Sequence, residues 1–134
     1  MSRGHAKHYE GHHGLSMFGK DLVRRCSAHC ELCDAQGVKL SVFEVPPVLT
    51  EPDYDHCIMI CDTCQKQIMR PRLIDHNHWR CLNNSIWSEV VPVKMLSVAM
   101  LRFINRQHAW PGALLEQVYL DAEEERWAEQ IEIG

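Results

Sequence analysis

Apolar residues recur along this chain with two different periods, and each period predicts a different element. Phe18, Leu22, Val23 and Cys26 stand three or four apart, the spacing of one helical face, so a short helix is expected over residues 18–26. The segment VKLSVFEV, residues 38–45, is rich in β-branched and aromatic residues and alternates, with Val38, Leu40 and Val42 on one face of a strand. After the turn-rich loop PPVLTEPDYD, residues 57–60 read as a second strand. Residues 62–69 supply two helical turns before Pro71, whose ring opposes continuation. No period holds through residues 70–91, which are expected to be irregular. Pro92 then suits the first turn of a helix carrying Met95, Leu96, Ala99, Met100, Phe103 and Ile104 on its core side. A break at Trp110-Pro111-Gly112 leads to a second helix with Leu114, Leu115, Val118 and Tyr119. Asp121, with Glu124 three residues on, has the signature of a capping box opening a third helix that presents Trp127 and Ile131.

The expected architecture is therefore α+β: a β-hairpin with a short helix over residues 26–69, an irregular linker over 70–91 and three helices over 92–134. Residues 1–15 lack any apolar period and read as a flexible tail preceding one domain over 16–134. His5, His8, His12 and His13 lie in that tail and offer at most a weak transition-metal arm.

Composition narrows the classes of function. The chain has 134 residues, 46% hydrophobic and 24% charged, which is the balance of a folded globular domain. Its most apolar stretch, residues 90–104, is interrupted by Pro92, Lys94, Ser97 and Arg102 and is too short for a membrane span. The first fourteen residues have no apolar segment of the secretory type, so a reducing, cytoplasmic setting without disulfides is expected. Formal net charge is -4; ten Lys/Arg balance ten Asp/Glu over residues 1–80, whereas four face eight over 81–134. A broad basic field for a phosphate backbone is missing, although Arg70, Arg72 and Arg80 form a local basic run. Nucleic acid is therefore not the first expectation, and a pull-down from native cells is expected to return a protein or ribonucleoprotein partner.

Candidate chemistry is concentrated in the seven cysteines. CSAHCELC at residues 26–33 and CIMICDTC at 57–64 repeat one spacing, and their CxxC pairs, Cys30/Cys33 and Cys61/Cys64, flank the predicted hairpin. Each CxxC offers two thiolates from one tight turn, and two such pairs complete the tetrahedral shell of a zinc ion. Cys61 and Cys64 fall at the start of the predicted helix, whose free N–H groups favour thiolate charge. Hairpin, helix and paired thiols together describe a treble clef with structural zinc at Cys30, Cys33, Cys61 and Cys64. Four sulfurs leave no open coordination position, so the metal is expected to fasten the fold.

Cys26, Cys30 and Cys33 also have the CxxxCxxC spacing of a radical-SAM iron–sulfur site, but that chemistry needs a much larger α/β barrel. Cys57, Cys81, His56, His76 and His78 remain. They read either as a second metal site, catalytic if built on Cys57, His78 and Cys81, or as ordinary buried side chains.

Two resemblances follow from longer strings. CELC, LSVFEV, PP and CIMICDTCQKQI in that order resemble the HNH endonuclease core, yet Phe43-Glu44, His56 and Gln65 stand where that family carries its catalytic histidines and asparagine. CELCDAQGVKLSVFEVPP, CDTCQKQI, HWRCLNNSIWSEV and YLDAEEERWA resemble, over residues 30–128, the N-terminal zinc-binding region of the PhnA family, named for an alkylphosphonate-utilisation operon. That resemblance implies zinc at Cys30, Cys33, Cys61 and Cys64; Cys57, His78, Trp79, Cys81 and Trp87 also lie in the matching motifs and are assigned no chemistry. The expected role is a non-enzymatic accessory or binding module, linked to phosphonates by name alone. The alternative is a metalloenzyme or nucleic-acid-acting protein derived from the HNH-like pattern.

Overall fold

The computed structural model describes residues 15–133; the histidines of the expected tail lie outside the described residues. The protein is α+β, a two-stranded antiparallel sheet surrounded by helices. A single 3-10 turn, Leu15–Phe18, leads into helix α1, Gly19–Cys26. The hairpin pairs β1, Leu40–Glu44, with β2, Cys57–Cys61, in the register Leu40↔Cys61 to Glu44↔Cys57. Helix α2, Asp62–Met69, follows β2 directly.

Both faces of the hairpin are covered, which is why every residue of β2 is buried. Ile58, Ile60 and Phe43 enter the main core, while Cys57 and Met59 meet Leu22 of α1, with Leu40 and Val42 packed beside them. The alternation expected from the sequence thus places Leu40 and Val42 under α1. Val38 precedes the strand and is exposed.

Residues 70–91, expected to be irregular, hold three short helical pieces: 3-10 turns Pro71–Leu73 and His78–Cys81, then helix α3, Leu82–Ser85. None is long enough to display a hydrophobic period, which is the physical reason the sequence pattern misses them. They are nonetheless core elements, since Trp79, Leu82 and Ile86 are fully buried.

Helix α4, Val91–Ile104, opens on Pro92 and buries ten of its residues. Its one buried hydroxyl, Ser97, donates to the Val93 carbonyl at 2.8 Å and contacts Ser85 Oγ at 3.1 Å, so it enters the core with its polarity satisfied. Helix α5, Pro111–Gln117, ends before Val118 and Tyr119, which had been expected to continue it. The backbone extends at Val118 toward the next cap, leaving Tyr119 exposed with its carbonyl on Lys94 Nζ at 3.0 Å. Helix α6, Ala122–Gln130, starts with the expected capping box: Glu124 N donates to Asp121 Oδ1 at 2.8 Å and Asp121 N to Glu124 Oε1 at 3.1 Å. Half-buried Trp127 closes α6 onto the hairpin loop through Nε1–H to the Pro46 carbonyl at 2.8 Å, its ring against that of His56. No helix of the described residues is long and apolar enough to cross a membrane.

Candidate metal centre

The first pair of thiols comes from a tight knuckle. Helix α1 ends in left-handed Ser27 and Ala28, and Asp34 is left-handed too, so the chain reverses within a few residues. Cys30 N donates to the Ala35 carbonyl at 2.9 Å and Asp34 N to the Cys30 carbonyl at 2.8 Å. These bonds hold the Cys30 and Cys33 side chains toward the same space. The knuckle is stapled to β2 on both sides of Glu31: its N–H donates to the Met59 carbonyl at 2.9 Å, and its carboxylate accepts from Met59 N at 2.9 Å. Arg25 completes the staple with a two-pronged contact to Glu31, 3.0 and 2.7 Å, and a third bond to the Cys57 carbonyl at 3.0 Å.

The second pair lies across the junction of β2 and α2. Cys61 is the N-cap of α2 and Cys64 stands in its first turn, so the strand end and the helix start present both sulfurs to the knuckle. Cys30 Sγ lies 3.8 Å from Cys64 Sγ, and Cys33 Sγ lies 3.6 Å from Cys61 Sγ. All four sulfurs fall within 4.8 Å of one another. A regular tetrahedron with metal–sulfur bonds of about 2.3 Å has edges of about 3.8 Å, so this quartet fits a thiophilic metal ion. The cysteines are free thiols, far beyond disulfide bonding distance. Cys30, Cys61 and Cys64 are buried; Cys33 is half-buried at the rim.

Electrostatics favours a cation in the middle. The hydrogen-bond contact between the Cys30 and Cys64 sulfurs holds Cys30 down to about 5, and the same contact together with burial drives Cys64 upward. Burial, reinforced by the charge on Cys30, pushes Cys33 up to about 12. One thiolate is thus tolerated by the protein alone, whereas ionising the set requires positive charge among the sulfurs. A cation held by all four would keep no position for water or substrate.

The five other cysteine and histidine candidates do not converge. Among the described residues, Cys30, Cys33, Cys61 and Cys64 are the one group of three or more metal-ligating side chains brought together. Cys57 sits under α1 with Leu22 and Met59, and burial pushes its thiol up to about 11. Cys81 packs against the main core, pushed up to about 12 by burial and then by the neighbouring sulfurs. His56 packs at a tilt against Trp127, and His76 stacks on His108 with ring centroids 3.9 Å apart. His78 is the exception: its Nε2 lies 3.3 Å from Cys64 Sγ, placing an imidazole beside the quartet as a hydrogen-bond partner of one of its sulfurs. Sequence spacing does not indicate this, because thirteen residues separate the two and those after Met69 carry no hydrophobic period. No family model, curated protein or solved structure matches this chain.

Proposed function

We propose that the quartet is a structural zinc site in a treble clef, and that the protein is a non-enzymatic binding or accessory module related to the PhnA family. The observation that carries this reading is the closed set of four sulfurs at tetrahedral spacing, three of them buried. A shell made of four thiolates contributes folding free energy and leaves no Lewis-acid position. The hairpin followed at once by a helix bearing the second thiol pair supports the treble clef. Free thiols at such distances suit a reducing, cytoplasmic environment. The link to the PhnA family rests on the cysteine, HWRCLNN and YLDAEEERWA strings, and its association with phosphonates remains one of name.

The module acts by presenting a metal-fastened surface to a protein or ribonucleoprotein partner. Affinity capture from native cells with the full chain tests this: a partner retained by His76→Ala and lost with Cys61→Ser supports fold-dependent binding, and equal capture by both variants contradicts it. Incubation with supercoiled plasmid and added divalent cations tests the metalloenzyme alternative. Intact plasmid supports the module; nicking that disappears with a substitution at His56 or Glu44 overturns it.

A further inference from the structure

We propose that the cleft between the Pro71–Leu73 turn and the C-terminal end of α4 is a binding site for a small phosphate monoester with an apolar body. This goes beyond the metal-fastened module described above, and it uses none of the four metal-site cysteines.

The cleft has a volume of about 340 Å³ and is lined by Pro71, Arg72, Ile74, Phe103, Arg106 and His108 among others, with no Asp or Glu in its wall. That lining is unusual for a chain with net charge -4. Three guanidinium groups meet carboxylates, Arg24 with Asp21, Arg25 with Glu31 and Arg102 with Glu125, whereas Arg70, Arg80 and Arg126 make no ion pair among the described residues and do not line this cleft. Among the described residues neither Arg72 nor Arg106 has a carboxylate partner. Asp75, the nearest carboxylate in sequence to Arg72, accepts from the Asn77 amide and does not line the cleft.

Two contacts orient Arg106 and His108. Arg106 lies over the Phe103 ring at 5.0 Å, which restrains an otherwise mobile side chain at the mouth of the cleft. The His108 ring is held face to face with His76, 18° from parallel, and no hydrogen bond among the described residues occupies its nitrogens. The last carbonyls of α4 do not compete for these donors, because the Asn105, Arg106, Gln107 and His108 amides already close that helix end.

Two unpaired guanidiniums and an imidazole match a dianionic tetrahedral oxyanion: planar N–H forks engage two oxygens and the imidazole can donate to a third. They also disfavour a metal cation in the same place. The volume is at the small end for a ligand pocket, too small for a folded partner but adequate for one ring bearing a phosphate. Ile74, Phe103 and Pro71 supply the apolar wall against which that ring rests.

The test is a titration of the full-length, 15N-labelled protein with phenyl phosphate, followed by amide chemical shifts. The expected result is saturable shifts centred on Ile74, Phe103, Arg106 and His108, with benzoate binding several-fold more weakly and benzyl alcohol causing none. Arg72→Gln and Arg106→Gln each weaken phenyl phosphate at least fivefold while leaving the rest of the spectrum in place, and Arg24→Gln at the distant ion pair changes nothing. Inorganic phosphate binding as tightly as phenyl phosphate overturns the apolar wall. A short single-stranded DNA binding more tightly at the same amides overturns the small-molecule assignment in favour of a nucleic-acid backbone. Absence of saturable shifts up to about 10 mM, well past a millimolar affinity, or equal affinity in both arginine variants, overturns the site.

Discussion

Gln67 joins the helix that carries Cys64 to the turn that carries His78, and replacing it by methionine isolates that link. Its Oε1 accepts from Trp79 Nε1 at 2.7 Å and from the Asp75 amide at 2.9 Å. Trp79 is fully buried, so Gln67→Met strands an indole N–H with no access to water; Asp75 is exposed, and its amide turns to solvent at little cost. Methionine keeps the stem and most of the volume, so packing changes little. A buried donor left unsatisfied costs about 1–3 kcal/mol. For a domain of this size that corresponds to a fall in Tm of roughly 4 °C per kcal/mol, or about 8 °C at the middle of the range. Urea unfolding followed by far-UV circular dichroism at saturating metal measures the change. Trp79→Phe removes the donor, and on that background Gln67→Met is expected to cost less than about 0.5 kcal/mol, a coupling of about 1–2 kcal/mol across the cycle. Equal costs on both backgrounds would refute the claim that this bond ties the two segments together.

Glu31→Gln removes the carboxylate between Arg25 and Met59 N, leaving a guanidinium of which a fifth is exposed. The expected loss is about 2–4 kcal/mol in urea unfolding, with metal affinity reduced roughly tenfold or more in a chelator competition because the knuckle of Cys30 and Cys33 loosens. Metal affinity should also depend steeply on pH: Cys33 at about 12 and the raised Cys64 hold protons through neutrality, whereas Cys30 at about 5 does not. Binding therefore displaces at least two protons, and affinity falls by at least about 100-fold for each unit by which pH drops between about 8 and 6. A pH-independent affinity in competition titrations would contradict that assignment. Asp121→Ala removes the cap of α6 and should cost about 1 kcal/mol, read as faster hydrogen exchange at the first amides of that helix.

Local signals carried much of this architecture. Alternation in LSVFEV, the repeat of CxxC around the hairpin and the Asp121/Glu124 box each act within a few residues, and each corresponds to an element or cluster in the structure. What was illegible depends on contacts between distant segments. Trp79 reads as part of an aperiodic linker, yet it is fully buried and bonded to Gln67. Arg25 and Glu31 look like ordinary surface charges until β2 places the Cys57 carbonyl and Met59 amide between them. Cys57 repeats the spacing of Cys26, and both stay outside the sulfur quartet, packed in the small cluster of Leu22 and Met59. Val118 and Tyr119 continue the apolar spacing of α5, while the approaching cap at Asp121 draws the backbone out of the helix first.

X-ray absorption at the zinc edge of the purified full-length protein addresses the metal centre most directly. The account predicts a single shell of four sulfur neighbours at about 2.3 Å, unchanged in His78→Ala. A shell containing nitrogen or oxygen, or one that loses a nitrogen neighbour when His78 is replaced, would contradict a closed site of four thiolates.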